Sequence, residues 1–262
     1  MDFVWIYEYG GSFHKKSGYF LELEYSMQSA RKFYKDAECY VAASPHAQKK
    51  LKDLKKDYNI IDCPNQVLTH VTNHPDHFDV LNKFTKIIED DRVGEEFILM
   101  YDDIFLLQPM TKADFKTYGK HEVEDVAEFL QRKEGKDYVR GGSVMYREMW
   151  KATYNYITIE RKRSGQKMYD WETHLPRLME KTKLKDVIDS YGLKYVPMLI
   201  TSLYSHEYGG ETTLMDEMTQ SDLYTYKPTK HDLEHEFSKK FLNLGDDACT
   251  PEIIEIIKNL VK

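Results

Sequence analysis

Two adjacent carboxylates, Asp102 and Asp103, stand between two apolar runs: Phe97-Ile98-Leu99-Met100-Tyr101 leads in, and Ile104-Phe105-Leu106-Leu107 leads out. The first run has the length and character of a strand buried on both faces. A lone carboxylate is costly to bury unless it is paired or binds a metal. Two readings fit. In one, both carboxylates hold a divalent cation, which holds a diphosphate. In the other, the pair forms a tight turn, one Asp capping it and the other solvated. A second concentration of reactive groups lies at Tyr169-Asp170-Trp171-Glu172-Thr173-His174-Leu175-Pro176, where aromatics surround two carboxylates and a histidine. Beside Asp170 and Glu172, His174 suits a general base or a metal ligand.

Other polar clusters carry less. Asn73-His74-Pro75-Asp76-His77 lacks metal-ligand spacing, and Pro75 argues for a turn, so a loop with ordinary surface histidines is expected. His231 and His235 are spaced i, i+4, but without a third ligand they read as a surface helix. Tyr138-Val139-Arg140-Gly141-Gly142-Ser143-Val144-Met145-Tyr146 is strand-like, and its two glycines mark either a bulge or the close approach of a ligand to backbone. Arg161, Lys162, Arg163 and Lys167 make a basic loop able to clasp phosphate oxygens, although such loops are more often simply solvated. Phe241-Leu242-Asn243-Leu244-Gly245-Asp246-Asp247 repeats the opening theme, apolar residues entering an Asp pair.

These groups need a scaffold, and the first half of the chain predicts one. Phe3-Val4-Trp5-Ile6-Tyr7 reads as a strand, followed by a loop through Gly10-Gly11 to Gly18; the glycines do not form a dinucleotide fingerprint. Leu21 to Tyr34 reads as a helix with Leu23, Met27, Ala30 and Tyr34 on one face. Glu38 to Ala43 is a second strand. Ile60 to Pro64 is a short edge strand stopped by proline. Asp79 to Asp90 is a helix with Val80, Phe84, Ile87 and Ile88 apolar. It delivers the chain to the strand at Phe97, third or fourth in the order. This is the alternation of an α/β protein with a parallel sheet, and it places the Asp pair at the sheet's carboxyl edge, where ligands bind. Past Pro109 the pattern turns irregular. A short helix is expected around Val123 to Leu130, others at Trp150 to Ile159 and Arg177 to Lys181, and a capped amphipathic helix at Pro251 to Val261. No linker separates domains, so residues 1–262 are read as one domain with an irregular second half.

Composition narrows the classes. The chain has 262 residues, with 20 Tyr and 12 Phe, enough for a large core and a stacking-rich cleft. A net charge of −7 gives no sequence-wide basic field for nucleic acid or anionic membrane. Cys39, Cys63 and Cys249 are odd in number and far apart, which argues against a disulfide framework or zinc site and for a reducing cytoplasm. No apolar run approaches a membrane span, and the first residues lack signal-peptide character.

Several blocks together resemble the Stealth family, hexose-1-phosphate transferases of capsule synthesis. Glu22-Leu23-Glu24-Tyr25-Ser26-Met27-Gln28-Ser29 is similar to its E-L-R-Y-S-L-R-S block. Tyr101-Asp102-Asp103-Ile104-Phe105-Leu106 is similar to N-D-D-x-F-L, Thr173-His174-Leu175-Pro176 to H-x-P, and Phe241 to Asp247 loosely to its last block. The order matches, and the blocks span most of the chain. The layout is also similar to small glycosyltransferases of the GT-A fold, with the Asp pair as the D-x-D element. Glu24 and Gln28 depart from the family's arginines, and Tyr101 from its Asn; the basic loop 161–167 or Arg140 would then compensate at the donor phosphates.

The resemblance implies a GT-A-like sheet, mixed and mostly parallel and flanked by helices, with residues 1–110 as the nucleotide-sugar half and 111–262 as the acceptor side. It implies Mn²⁺ or Mg²⁺ on Asp102 and Asp103, a UDP- or GDP-sugar donor and a glycan or other hydroxyl acceptor. Tyr7, Glu22, Tyr101, Arg140, Gly141 and Gly142 would contact the donor, with Tyr7 or another residue of the first-strand loop stacking on the nucleobase. His174 would activate the acceptor, with Asp170 or Glu172 as orienter or substitute. Glycosyl transfer, Stealth-type sugar-1-phosphate transfer and an inactive carbohydrate-binding relative remain open alternatives. A nucleic-acid acceptor such as a modified DNA base is conceivable but unsupported by the acidic balance.

Overall fold

Strands that are apolar at successive positions must be covered on both faces, and the fold supplies both covers. The computed structural model describes residues 1–7, 21–51, 58–64, 75–135, 143–216, 219–223, 230–245 and 250–261. In chain order its first half runs β1 (Asp2–Tyr7), α1 (Leu21–Phe33), β2 (Glu38–Ala43), α2 (Pro45–Leu51), β3 (Asn59–Asp62), α3 (Pro75–Glu89), β4 (Glu96–Met100) and β5 (Ile104–Leu106). Then come β6 (Tyr118–Gly119), α4 (Val126–Gly135), α5 (Ser143–Ser164), β7 (Arg177–Glu180), α6 (Lys181–Ser190), α7 (Ile200–Tyr208) and β8 (Thr213–Leu214). The chain ends with β9 (Gln220–Leu223), α8 (Lys230–Glu236), β10 (Phe241–Leu244) and α9 (Pro251–Val261).

The main sheet has the order β3-β2-β1-β4-β7. Its first four strands are parallel, and β7 closes the edge antiparallel to β4. This is a mixed, mostly parallel α/β sheet flanked by helices. Side chains alternate between two cores. Val4, Tyr40, Ala42, Phe97 and Leu99 pack with Phe78, Leu81, Phe84 and Ile87 of α3. Phe3, Trp5, Val41, Ile98 and Met100 pack with Leu23, Met27 and Ala30 of α1. The helix α1 links β1 to β2 over one face, whereas α3 carries the chain from β3 back past β2 and β1 to β4 over the other. The order reverses between β1 and β4, and a crevice outside the carboxyl ends of those strands is where open α/β sheets hold ligands.

The chain leaves this sheet at Asp102-Asp103. β5 belongs to a second sheet, β5-β10-β9, in which it runs antiparallel to β10. The Asp pair is thus the corner where one sheet hands the chain to the other.

Three expectations are corrected. Arg177 to Lys181 is not a helix: Arg177–Glu180 is strand β7, registered on Leu99 to Glu96 of β4, and helix α6 begins only at Lys181. The residue types allow a helix, but pairing with an otherwise open strand edge outweighs propensity. Ser143 to Tyr146, expected in a strand, opens the 22-residue helix α5, whose last turn holds Arg161, Lys162 and Arg163; residues 138–142 lie outside the described residues. His77 is not a surface histidine. It sits in the first turn of α3, is 1% exposed, and places its ring nitrogens 3.1 and 2.9 Å from the carbonyls of Met198 and Leu193. No helix among the described residues is long and apolar enough to cross a membrane.

One polar tie outside the site fixes the segment that follows β5 to the residue that enters β10. Asp114 accepts from Lys240 Nζ at 2.6 Å and from the N–H and hydroxyl of Thr111, each at 2.8 Å. The Lys240 ammonium, first, and then the Thr111 bonds hold the carboxyl down at about 2. A depressed carboxyl stabilises the fold above its unfolded value of about 4, and this is lost as pH falls through the folded value. Asp114→Asn is therefore expected to cost about 1–2 kcal/mol at pH 7 and to flatten the fall in stability between about pH 4 and 2 by that same amount. Urea denaturation of both proteins at a series of pH values measures it.

Candidate active site

The Asp turn is built from β4, β5 and α1. β4 ends at Met100, and the Ile104 N–H closes a tight turn on the Tyr101 carbonyl at 3.3 Å. The side chains of Asp102 and Asp103 are half-buried. Beneath them lie two serines of α1. Ser26 Oγ accepts from Trp5 Nε1 at 2.9 Å and lies 2.5 Å from the Ile104 carbonyl and 3.3 Å from the Tyr101 carbonyl. Ser29 Oγ accepts from the Leu106 N–H at 3.0 Å and donates to the Ser26 carbonyl at 2.7 Å. On the far side, the Leu244 N–H of β10 donates to the Asp103 carbonyl at 3.0 Å. The turn reading and the carboxylate reading are therefore compatible: the backbone turns tightly, and both acids project from it.

Ser26 holds two groups in buried contacts, the Trp5 indole and the Ile104 carbonyl. Ser26→Ala leaves the Trp5 indole N–H and the Ile104 carbonyl without that partner, and buried orphans cost about 1–3 kcal/mol each. A loss of about 2–4 kcal/mol in chemical denaturation is expected on that basis; a change under about 0.5 kcal/mol would show that the turn does not depend on this serine.

His174 reaches the turn from 71 residues away. Its Nε2 lies 2.8 Å from Asp103 Oδ1, and its ring stacks on Tyr101 with centroids 4.2 Å apart and planes inclined by 20°. The residue has φ 45°, a left-handed conformation that non-glycine residues adopt at a cost. With Asp103 ionised, the neutral imidazole carries its proton on Nε2 and keeps a lone pair on Nδ1. Among the described residues, Nδ1 has no partner. The His174 side chain is 44% exposed. Desolvation lowers its basicity, but the charge and hydrogen bond of Asp103, followed by Asp102 and Glu172, outweigh it and shift the imidazole upward. Burial pushes the Tyr101 phenol up to about 12, against the nearby Arg177 charge, so the ring stays neutral.

The neighbouring acids divide into separate tasks. Glu172 accepts from Ser202 Oγ at 2.5 Å and from Thr201 Oγ1 at 3.4 Å, both in the first turn of α7. A carboxylate is favourable at a helix N-terminus. Asp170 is fully buried and accepts the Glu172 N–H at 3.2 Å, while its backbone bonds to Lys120 and His121. Both brace the loop that carries His174. Tyr7 ends β1, where it is fully buried in the core with Trp5 and Leu23. Glu22 lies in the first turn of α1 and is 6% exposed. Arg140, Gly141, Gly142, Asp246 and Asp247 lie outside the described residues.

The structure thus brings Tyr101, Asp102, Asp103, Glu172 and His174 to one place, at the topological switch of the sheet. Reasoning from the sequence missed Ser26, Ser29 and Arg177. The serines were visible in the Glu22 to Ser29 block, spaced i, i+3 on the buried side of a helix; nothing local marked Arg177.

Whether the site suits a cation is a question of donors. Among the described residues, no three His, Cys, Asp or Glu side chains converge as a ready-made metal cage. Two half-buried carboxylates on one turn fit a different class, in which the protein supplies one or two carboxylates and a phosphate-bearing substrate and water supply the rest. Asp102 and Asp103 would hold the ion, which would neutralise charge on a departing diphosphate.

No protein-family model matches the chain, and no curated protein matches it in sequence. Among solved structures the chain is similar to the galactosyltransferase LgtC in complex with donor and acceptor sugar analogs (TM-score 0.43, 9% identity, covering 100% of this chain and 95% of that one). It is similar to a glycosyltransferase involved in glycosylation of the major capsid of PBCV-1 (TM-score 0.42, 11% identity, 99% and 98% covered). It is also similar to mouse xyloside xylosyltransferase 1 (TM-score 0.38, 10% identity, 96% and 100% covered). At such scores the overlap is loose and assigns neither family nor chemistry to this chain.

Proposed function

We propose that the protein is a metal-dependent glycosyltransferase that moves a sugar from a nucleotide-sugar donor to an acceptor hydroxyl. The observation that carries this reading is the meeting of His174 with Asp103 beside Asp102, at the carboxyl edge of a parallel sheet where the strand order reverses. Such an edge suits a nucleotide diphosphate, two acids suit Mn²⁺ or Mg²⁺ beside it, and an imidazole with one free nitrogen suits an acceptor hydroxyl. The whole chain acts as one domain, residues 1–110 on the donor side and 111–262 on the acceptor side.

In this mechanism the acceptor hydroxyl gives its proton to His174 Nδ1. Its oxygen bonds to the anomeric carbon, and the bond from that carbon to the diphosphate oxygen breaks, releasing a nucleoside diphosphate. Asp103 holds the Nε2 proton and favours the imidazolium that forms. Tyr101 fixes the ring plane. Asp102 and Asp103 would hold the cation, whose charge would neutralise the departing diphosphate.

A second reading is Stealth-type sugar-1-phosphate transfer. It is favoured by the way the resembling blocks converge: Ser26 and Ser29 support the Asp turn, His174 bonds Asp103, and β10 donates to the Asp103 carbonyl. There the hydroxyl attacks the β-phosphorus, and a nucleoside monophosphate leaves. One assay separates the two. UDP- and GDP-sugars are incubated with the protein and Mn²⁺, alone and with a panel of p-nitrophenyl glycosides, and the nucleotides are resolved by chromatography. UDP or GDP supports the first reading, and UMP or GMP supports the second. Intact donors throughout, with glycan binding retained, would overturn both in favour of an inactive carbohydrate-binding protein.

A further inference from the structure

Arg177 is 4% exposed at the start of β7, and it is placed unlike an ordinary buried cation. A guanidinium out of water normally pairs with a carboxylate. Here NH2 donates to the Trp171 carbonyl at 3.2 Å and to Thr173 Oγ1 at 3.3 Å, while NH1 donates to the Thr201 carbonyl at 3.1 Å and to Ser205 Oγ at 2.7 Å. All four acceptors are neutral, and among the described residues Arg177 forms no ion pair. An apolar side chain of similar volume would bury at lower cost, so the charged fork must supply geometry. Two of its acceptors belong to the loop that ends in His174, and the other two belong to successive turns of α7. Glu172, between Trp171 and Thr173, reaches the same helix through Ser202 and Thr201. The loop is therefore braced against α7 from two sides, directly before the one non-glycine residue with positive φ among the described residues. A left-handed residue persists only where its surroundings over-determine it.

We infer that Arg177 is a positioning residue for His174, its planar fork locking residues 171–173 onto α7 so that the strained turn presents the imidazole to Asp103 and Tyr101. Lysine cannot replace it, because an ammonium lacks the two parallel pairs of donors. The kinetic part of the inference rests on the proposed role of His174; the geometric part does not.

The test uses Arg177→Met and Arg177→Lys, each alone and combined with His174→Ala. Histidine imidazole resonances are recorded first, His174 being identified by its loss in His174→Ala. Stacking on Tyr101 shields its carbon-bound protons, and this shielding should disappear in Arg177→Met and shrink in Arg177→Lys, with the His77 signals unmoved. Turnover of UDP-sugars with Mn²⁺ is then measured. Arg177→Met should lower kcat by about 10²-fold, as expected of a catalytic group displaced by about 1 Å, with the donor KM changed less than threefold. It should cost nothing further in the His174→Ala background. An unmoved His174 resonance, or a loss that adds fully to that of His174→Ala, would overturn the inference. Absence of turnover in the wild type would count against the proposed function instead, and the resonances alone would decide the role of Arg177. If Arg177→Met does not fold, Thr173→Val, which removes one anchor of the fork, is read out in the same two ways.

Discussion

Asp103→Ala is expected to lower nucleotide-sugar turnover by on the order of 10³-fold or more while leaving the fold intact. Its carboxylate has two duties in the proposed reaction. It is one of two acids for the cation, and it is the partner that sets the His174 tautomer. Loss of a general base costs about 10²–10⁴-fold, and loss of a direct cation ligand adds to it. The fold should survive because β10 is tied to the Asp103 carbonyl, which alanine keeps, and because Ser26 supports the turn from below. Asp103→Asn sharpens the result. It keeps shape and a carbonyl acceptor but loses the charge, so it should bind Mn²⁺ weakly and turn over nearly as slowly as alanine. Nucleotide release, thermal melting and Mn²⁺ titration together measure it. Turnover within threefold of wild type in either variant would remove Asp103 from the mechanism.

His174→Ala is expected to cost about 10²–10⁴-fold in kcat, the range for a general base. The 44% exposure of the side chain leaves the position open to solvent, so added imidazole should restore part of the lost rate. His174→Gly adds a structural control. At φ 45° alanine keeps the backbone strain and glycine removes it, so the glycine variant should be the more stable of the two by up to about 1 kcal/mol. Activity and stability should respond to pH in opposite directions. The upward-shifted imidazole stabilises the fold while charged: that contribution is complete below about pH 6.5 and is lost as pH rises through the shifted value. A general base works only when neutral, so kcat should climb as pH rises, over a lower interval in the cation-loaded enzyme because the ion offsets the charge of Asp103. Both trends should vanish in His174→Ala.

Much of the scaffold was legible because burial on two faces leaves a plain signature. The runs at Phe3, Cys39 and Phe97 read as strands of a parallel sheet, and Pro64 marked the edge that β3 occupies. Of the site, Asp102, Asp103 and His174 were legible as reactive types, yet nothing local joined residues 71 positions apart. The errors have one cause. Arg177 to Glu180 carries helix-compatible residues, and only the open edge of β4 makes it a strand. Arg177 was hidden with it, since nothing local sets this guanidinium apart from ordinary surface charge. His77 was misread for the same reason: its partners, the carbonyls of Leu193 and Met198, lie more than a hundred residues away. Glu172 and Asp170 were recognised as acids, but their use as braces depends on α7 and on residues 120–121.

In the proposed reaction Asp102 and Asp103 receive the diphosphate of a nucleotide sugar through a cation. The most direct measurement is a crystal structure of the protein soaked with Mn²⁺ and a UDP-sugar, with data collected for manganese anomalous scattering. A single strong anomalous peak is expected within coordination distance of the Asp102 or Asp103 carboxylate, with diphosphate oxygens completing its shell and the sugar lying between it and His174. A nucleotide bound away from the β1–β4 crevice, or a peak remote from both carboxylates, would contradict it.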